Sequence, residues 1–148
     1  MSVTVRPAAP SDLKDLVDLR LENGRVHAAL GPAVYRVPEP AAVGAHVTAE
    51  LSAGHNDRVL LVAVVDYEVL GLAEVSLDAE LSAHQVLQPM TGAHVHLVVA
   101  EHARGRGLGR LLESAASGWA AQRGVPQLVA GIQSDADGGY HEPAVIRI

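Results

Sequence analysis

The chain contains no cysteine, which excludes disulfides, thiolate metal sites and a covalent cysteine nucleophile. It also has no run of about 18 apolar residues, and no long apolar stretch follows Met1. The expectation is therefore a cytoplasmic protein without a membrane span or secretory leader. Basic residues are scarce: Lys14 is the only lysine among 11 of them, against 17 acidic residues and a formal net charge of -6. Such a balance argues against any chain-wide affinity for nucleic acid. The positive charge that stands out is local, because Arg104, Arg106 and Arg110 lie close together in an otherwise acidic chain. That grouping points to a small anionic ligand.

What is present suffices for one domain spanning 1–148, without repeats, linkers or low-complexity tracts. The chain has 148 residues, 49% of them hydrophobic, and a domain of this length buries roughly 68–70% of the surface its unfolded chain exposes. Residues 3–6 read as a short strand, and Ser11 as the N-cap of a helix carrying Leu13, Leu16, Val17 and Leu21 on one side. Residues 24–40, with Pro32, Pro38 and Pro40, read as a loop holding at most a turn of helix and placed to move over a substrate. Val43, Val47 and Leu51 predict a second helix over 41–51, ended by Gly54. Residues 59–65 and 69–77 predict an antiparallel hairpin about Asp66-Tyr67-Glu68, with Leu72, Glu74, Ser76 and Asp78 on one face. After a polar connection over 78–92, Val95, Leu97 and Val99 alternate with His94, His96 and Val98 in a further strand. Leu108, Leu111, Leu112, Ala115 and Trp119 then repeat at helical spacing, Trp119 reading as core, and Gly124 and Pro126 stop the helix. Residues 127–132 form the last clear strand.

Between that strand and that helix stands Arg104-Gly105-Arg106-Gly107-Leu108-Gly109-Arg110. A diphosphate needs convergent N–H donors, close backbone approach and preferably a helix N-terminus, whose dipole and unpaired amides favour anions. The glycines keep the approach clear, and the arginines add charge-assisted contacts. A dinucleotide fingerprint would need glycine where Arg110 stands, and a Walker A loop would need a missing Gly-Lys-Ser/Thr ending. The stretch instead resembles the R/Q-x-x-G-x-G/A signature of the GNAT family of N-acetyltransferases, with Arg104, Gly107 and Gly109 at its fixed places. The longer pattern V-x-P-x-x-R-G-x-G-x-G-x-x-L is met by Val99, Arg104, Gly105, Gly107, Gly109 and Leu112, with Glu101 replacing the proline. The opening Val5-Arg6-Pro7-Ala8, the helix start Ser11-Asp12-Leu13, the hairpin closing on Gly71 and the segment 32–38 extend the resemblance over about residues 3–145.

The resemblance implies an α/β acyl-CoA N-acyltransferase fold: a mixed, mainly antiparallel twisted sheet with helices on both faces and acetyl-CoA in a cleft between central strands. It implies a binding set of Leu97, Val98 and Val99, then Arg104, Gly105, Arg106, Gly107, Leu108, Gly109 and Arg110, with Gln133 beyond. A backbone N–H at Val98 or Val99 would polarise the thioester carbonyl, stabilising charge that develops on oxygen. The family pattern N-x-x-A-x-x-x-Y is met by Gln133, Ala136 and Tyr140, which implies Tyr140 as the acid for the leaving thiolate. The base stays open among Glu74, Asp78, His94 and His96, with Glu74 and His96 leading. His94-x-His96 offers a metal only two ligands, so no metal is expected. The acceptor implied is a primary amine of a small molecule, and Glu74 and Asp78 near the cleft would steer a cationic one. At the other end, Ala144 and Val145 stand where the family has Gly-Phe, and Asp137-Gly138-Gly139 interrupts the helix that should carry Tyr140. These departures predict a truncated C-terminal hairpin, an unpaired edge on 127–132 and a homodimer formed through it. They also motivate an alternative reading as a catalytically degraded CoA-binding or interaction module.

Overall fold

A computed structural model of the chain describes residues 2–52, 55–77, 93–125, 127–130 and 144–147, the last two segments by their backbone. Six strands lie in one sheet in chain order: β1 (Val3–Pro7), β2 (Arg58–Val65), β3 (Glu68–Leu77), β4 (Ala93–Val99), β5 (Gln127–Ala130) and β6 (Ala144–Arg147). All neighbours are antiparallel except β4 and β5, which run parallel. The described helices are α1 (Leu13–Leu30), α2 (Pro40–Leu51) and α3 (Leu108–Ala121). The β2–β3 hairpin closes on Asp66 and Tyr67, both at positive φ (48° and 70°), the two-residue turn whose twist matches its strands.

Two contacts of β3 fix the layers. A Cβ added to Gly71 would meet Leu112 Cδ1 of α3 at 3.0 Å, whereas Glu74, three residues on and so facing the other way, is bonded to Arg20 of α1 and His46 of α2. Helices therefore cover both faces, α3 on one and α1 with α2 on the other. Leu16, Val47, Val62, Leu72, Val75, Val95, Val98, Leu108 and Leu112 are each less than 2% exposed. Every such aliphatic side chain contributes about 1.5–3 kcal/mol by leaving water. Leu111, grouped with the apolar repeat in the sequence, is instead exposed.

Three expectations are corrected. The loop expected over 24–40 begins only after Leu30, because the first helix continues that far; Gly24 is a buried interior residue whose added Cβ would stand 2.7 Å from Pro38 Cδ. Glycine is needed there because the segment 36–38 crosses the helix at that point. The entry to α1 is organised by Asp12 and not by Ser11: the Asp12 carboxylate accepts from Arg6 Nη1 at 2.8 Å, Arg6 Nη2 at 3.0 Å and the Ala9 amide at 2.7 Å. Finally, β6 pairs with β5 from Gln127↔Arg147 to Ala130↔Ala144, so the edge expected to lie open is filled from within the chain. Extended residues 144–147 satisfy the ladder donors that the family pattern leaves to a fuller hairpin.

Candidate active site

The glycine–arginine stretch folds as a left-handed loop leading into α3. Gly105 and Gly107 have φ of 79° and 82°, a region that residues with a Cβ enter only with strain. Ala103 and Leu108 are buried and anchor the loop at both ends, while Arg104, Arg106 and Arg110 are exposed. None of these arginines has an acidic partner among the described residues. The first intrahelical bond runs from the Leu111 amide to Gly107 O at 3.2 Å, which leaves the amides of Leu108, Gly109 and Arg110 without helical acceptors. A Cβ at Gly105, Gly107 or Gly109 would meet nothing within 4 Å. The bare backbone at Gly109 thus answers no packing need of the protein itself, and the cradle fits a diphosphate.

β4 leads into this cradle. Its described pairing with β5 runs from Ala93↔Leu128 to Val95↔Ala130, whereas the strand continues to Val99. The Ala100 amide donates to Leu70 O at 2.8 Å. Alternation along an antiparallel ladder then spends the Val98 amide on β3 and turns the amides of Leu97 and Val99 toward the β5 side. Of the two amides expected to polarise a carbonyl, only that of Val99 is directed away from the β3 ladder.

On the α1–α2 face, Glu74 and His96 are register partners across β3 and β4. Arg20 Nη2 donates to Glu74 Oε1, and His46 Nε2 lies 3.2 Å from the same oxygen. Burial opposes ionisation of Glu74, but the charge and hydrogen bond of Arg20, with a smaller share from His46, outweigh it and hold the carboxyl below its usual range. His96 is pushed below the ordinary imidazole value, first by burial and then by Arg20, with Glu74 pulling the other way and His27 adding to the depression. It is accordingly neutral near pH 7.

His96 lines a cavity of about 330 Å³ with Arg20, Asn23, His27, Tyr35 and Arg36. An adjoining hollow of about 340 Å³ shares Arg20 and Pro38 and adds Val43 and His46. His27 donates Nδ1–H to Asn23 O at 2.8 Å, since a carbonyl only accepts, and its ring stands edge-on to Tyr35 with centroids 5.0 Å apart. Arg20, His27, Tyr35 and His46 were missed in the sequence. Arg20, Asn23, Gly24 and His27 do repeat at helical spacing, a signal hidden by reading residues 24–40 as a loop.

The family model for the acetyltransferase (GNAT) family matches residues 31–139. The chain belongs to the GNAT family. Solved structures agree on the fold: a tetramutant of the BH1408 protein from Bacillus halodurans superposes with a TM-score of 0.75 at 20% identity, over 88% of this chain and 83% of that one. An acetyltransferase from Vibrio fischeri gives 0.67 at 17% identity, over 86% and 93%. The aminoglycoside N-acetyltransferase AAC(6')-Iy in complex with CoA gives 0.65 at 18% identity, over 89% and 78%. Comparison with curated proteins found no match.

In this GNAT chain the expected residues therefore fall into two groups joined by β4: the cradle at its C-terminal end, and the Glu74–His96 pair on its α1–α2 face. Asp78, Gln133 and Tyr140 lie outside the described residues. Among the described residues no three histidine or acidic side chains gather as metal ligands, and no helix is long and apolar enough to cross a membrane.

Proposed function

We propose that this GNAT chain is an N-acetyltransferase that moves the acetyl group of acetyl-CoA to a primary amine of a small molecule by direct attack in a ternary complex. The observation carrying this reading is one strand, β4, that presents His96 to the cavity beside Arg20, turns the Val99 amide to the opposite edge and ends at the glycine–arginine cradle. Acetyl-CoA, when bound, supplies a thioester whose carbonyl carbon the amine attacks as the C–S bond breaks and the thiolate leaves. The amides that open α3, with Arg104, Arg106 and Arg110, hold the diphosphate. Val99 N–H donates to the carbonyl oxygen, where negative charge develops. His96 removes the ammonium proton directly or through one water. Glu74, tied to Arg20 and depressed, is a poor base and positions Arg20 beside His96. Tyr140 is assigned the proton for the thiolate on the family pattern, and residues 1–148 are taken as one cytoplasmic domain.

Free-thiol release with acetyl-CoA and a panel of amines tests the reading. Amine-dependent thiol release with the N-acetyl product supports it. Tight CoA binding without turnover of any amine would favour the CoA-binding module instead.

A further inference from the structure

We infer that the acceptor carries a carboxylate as well as its amine, and that Arg36 with Arg20 selects it. The inference rests on the acetyltransferase reading and names the substrate class of that cavity. Though the chain as a whole carries -6, the described lining of its cavity has the opposite sign. Among the described residues, the charged or titratable ones lining it are Arg20, His27, Arg36 and His96, with Tyr35, and none is a carboxylate. Glu74, behind Arg20, is already engaged by Arg20 and His46, so steering of a cation by Glu74 loses its basis. One carboxylate thus faces two guanidiniums. Arg36 is exposed and has no acidic partner among the described residues. Glu74 occupies one Nη of Arg20, leaving further donors of the planar fork to a ligand. Two arginines lining one cavity offer a carboxylate the planar, bidentate donors it prefers and repel a polyamine.

The chemistry requires the amine at His96 and the anion at Arg36, and both residues line the same cavity. An amino acid meets that requirement; a diamine puts a second cation against Arg36. Its test compares 4-aminobutyrate, 4-aminobutanamide and 1,4-diaminobutane, and L-leucine with L-leucinamide, by kcat/KM for thiol release. Calorimetric titration of the two carboxylates into CoA-bound protein gives a readout independent of turnover. The carboxylates should be preferred about tenfold or more, the size of a single charge-assisted contact. Arg36→Ala should abolish that preference through KM and weaken carboxylate binding about tenfold, and Arg36→Glu should turn the preference toward the diamine. Preference for the amide or diamine in the unaltered protein, or a carboxylate preference that survives both variants, overturns the inference and leaves the acetyltransferase standing. Failure of every amine to react while CoA binds overturns the acetyltransferase reading and this inference with it.

Discussion

His96 and Glu74 face each other across two strands, yet their surroundings prepare them for different work. Burial and Arg20 disfavour the imidazolium, whereas Arg20 and His46 stabilise the carboxylate against its own burial. The acid limb of kcat should therefore lie below about 6.5, the ordinary imidazole value, with activity falling as His96 gains a proton. His96→Gln should remove that limb and cost roughly 10²–10⁴ in kcat. Glu74→Gln should keep the limb and move it to still lower pH, because the carboxylate that favours protonated His96 is gone. A pH profile that loses its acid limb in Glu74→Gln would make Glu74 the base after all. The cradle offers a second contrast. Gly109 has neither positive φ nor a neighbour to collide with, so Gly109→Val should fold and lose CoA affinity by calorimetry. Gly107→Val should lose affinity too and also cost about 1–3 kcal/mol of stability, because φ is 82° there. Unchanged CoA affinity in folded Gly109→Val would remove the loop from the site.

Among the elements, α1 and β4 bring the acceptor side together. Arg20, Asn23, Gly24 and His27 line the cavity together only because the helix runs on past Gly24, and Gly24 lets residues 36–38 close against it. A methyl group at Gly24 would meet the stiff Pro38 ring at 2.7 Å, so the loop must give way. Gly24→Ala should cost about 1–3 kcal/mol through overpacking. It should also raise the KM for the amine while CoA binding, on the far end of β4, stays as it was. A crystal structure of the variant with residues 36–38 undisturbed, together with an unaltered KM, would contradict this account of the loop.

At the scale of the whole molecule, three folded-state depressions act in one direction. Asp12 is held low by its hydrogen bonds to Arg6, Glu74 by Arg20 and His46 against burial, and His96 chiefly by burial. For each, the unfolded state binds more protons over the window between the two pKa values, so their stabilisation is present above the unfolded pKa and lost as pH falls through the folded one. Urea midpoints should fall from pH 7 to 5 as His96 titrates, and again toward pH 3 through Glu74 and Asp12. A midpoint that rises on acidification would contradict the assignment. The sheet gives the other molecular prediction. Because β6 covers β5, deleting residues 144–148 should expose a ladder edge and produce concentration-dependent association in light scattering, absent or weaker in the full chain. Equal association in both would place any interface elsewhere.

The glycine–arginine loop before α3 was legible from the residues because its requirements are local: glycines where the backbone turns left-handed, a buried leucine to start α3 and arginines left in solvent. The strands between 3 and 99 and the β2–β3 hairpin were equally legible, since alternation and the Asp66-Tyr67 turn act between neighbours in the chain. Three other features depended on distant contacts. Residues 24–30 read as loop until Pro38 is seen against Gly24; Glu74 reads as a free carboxylate until Arg20 and His46 reach it; and residues 144–147 read as an incomplete ending until β5 pairs with them. Periodicity and turn chemistry settle what a segment does with its own backbone. The charge state of Glu74 and His96 was decided by which helices the fold laid over them, because desolvation and ion pairing depend on groups separated by 28 residues or more in the case of Glu74 and His46.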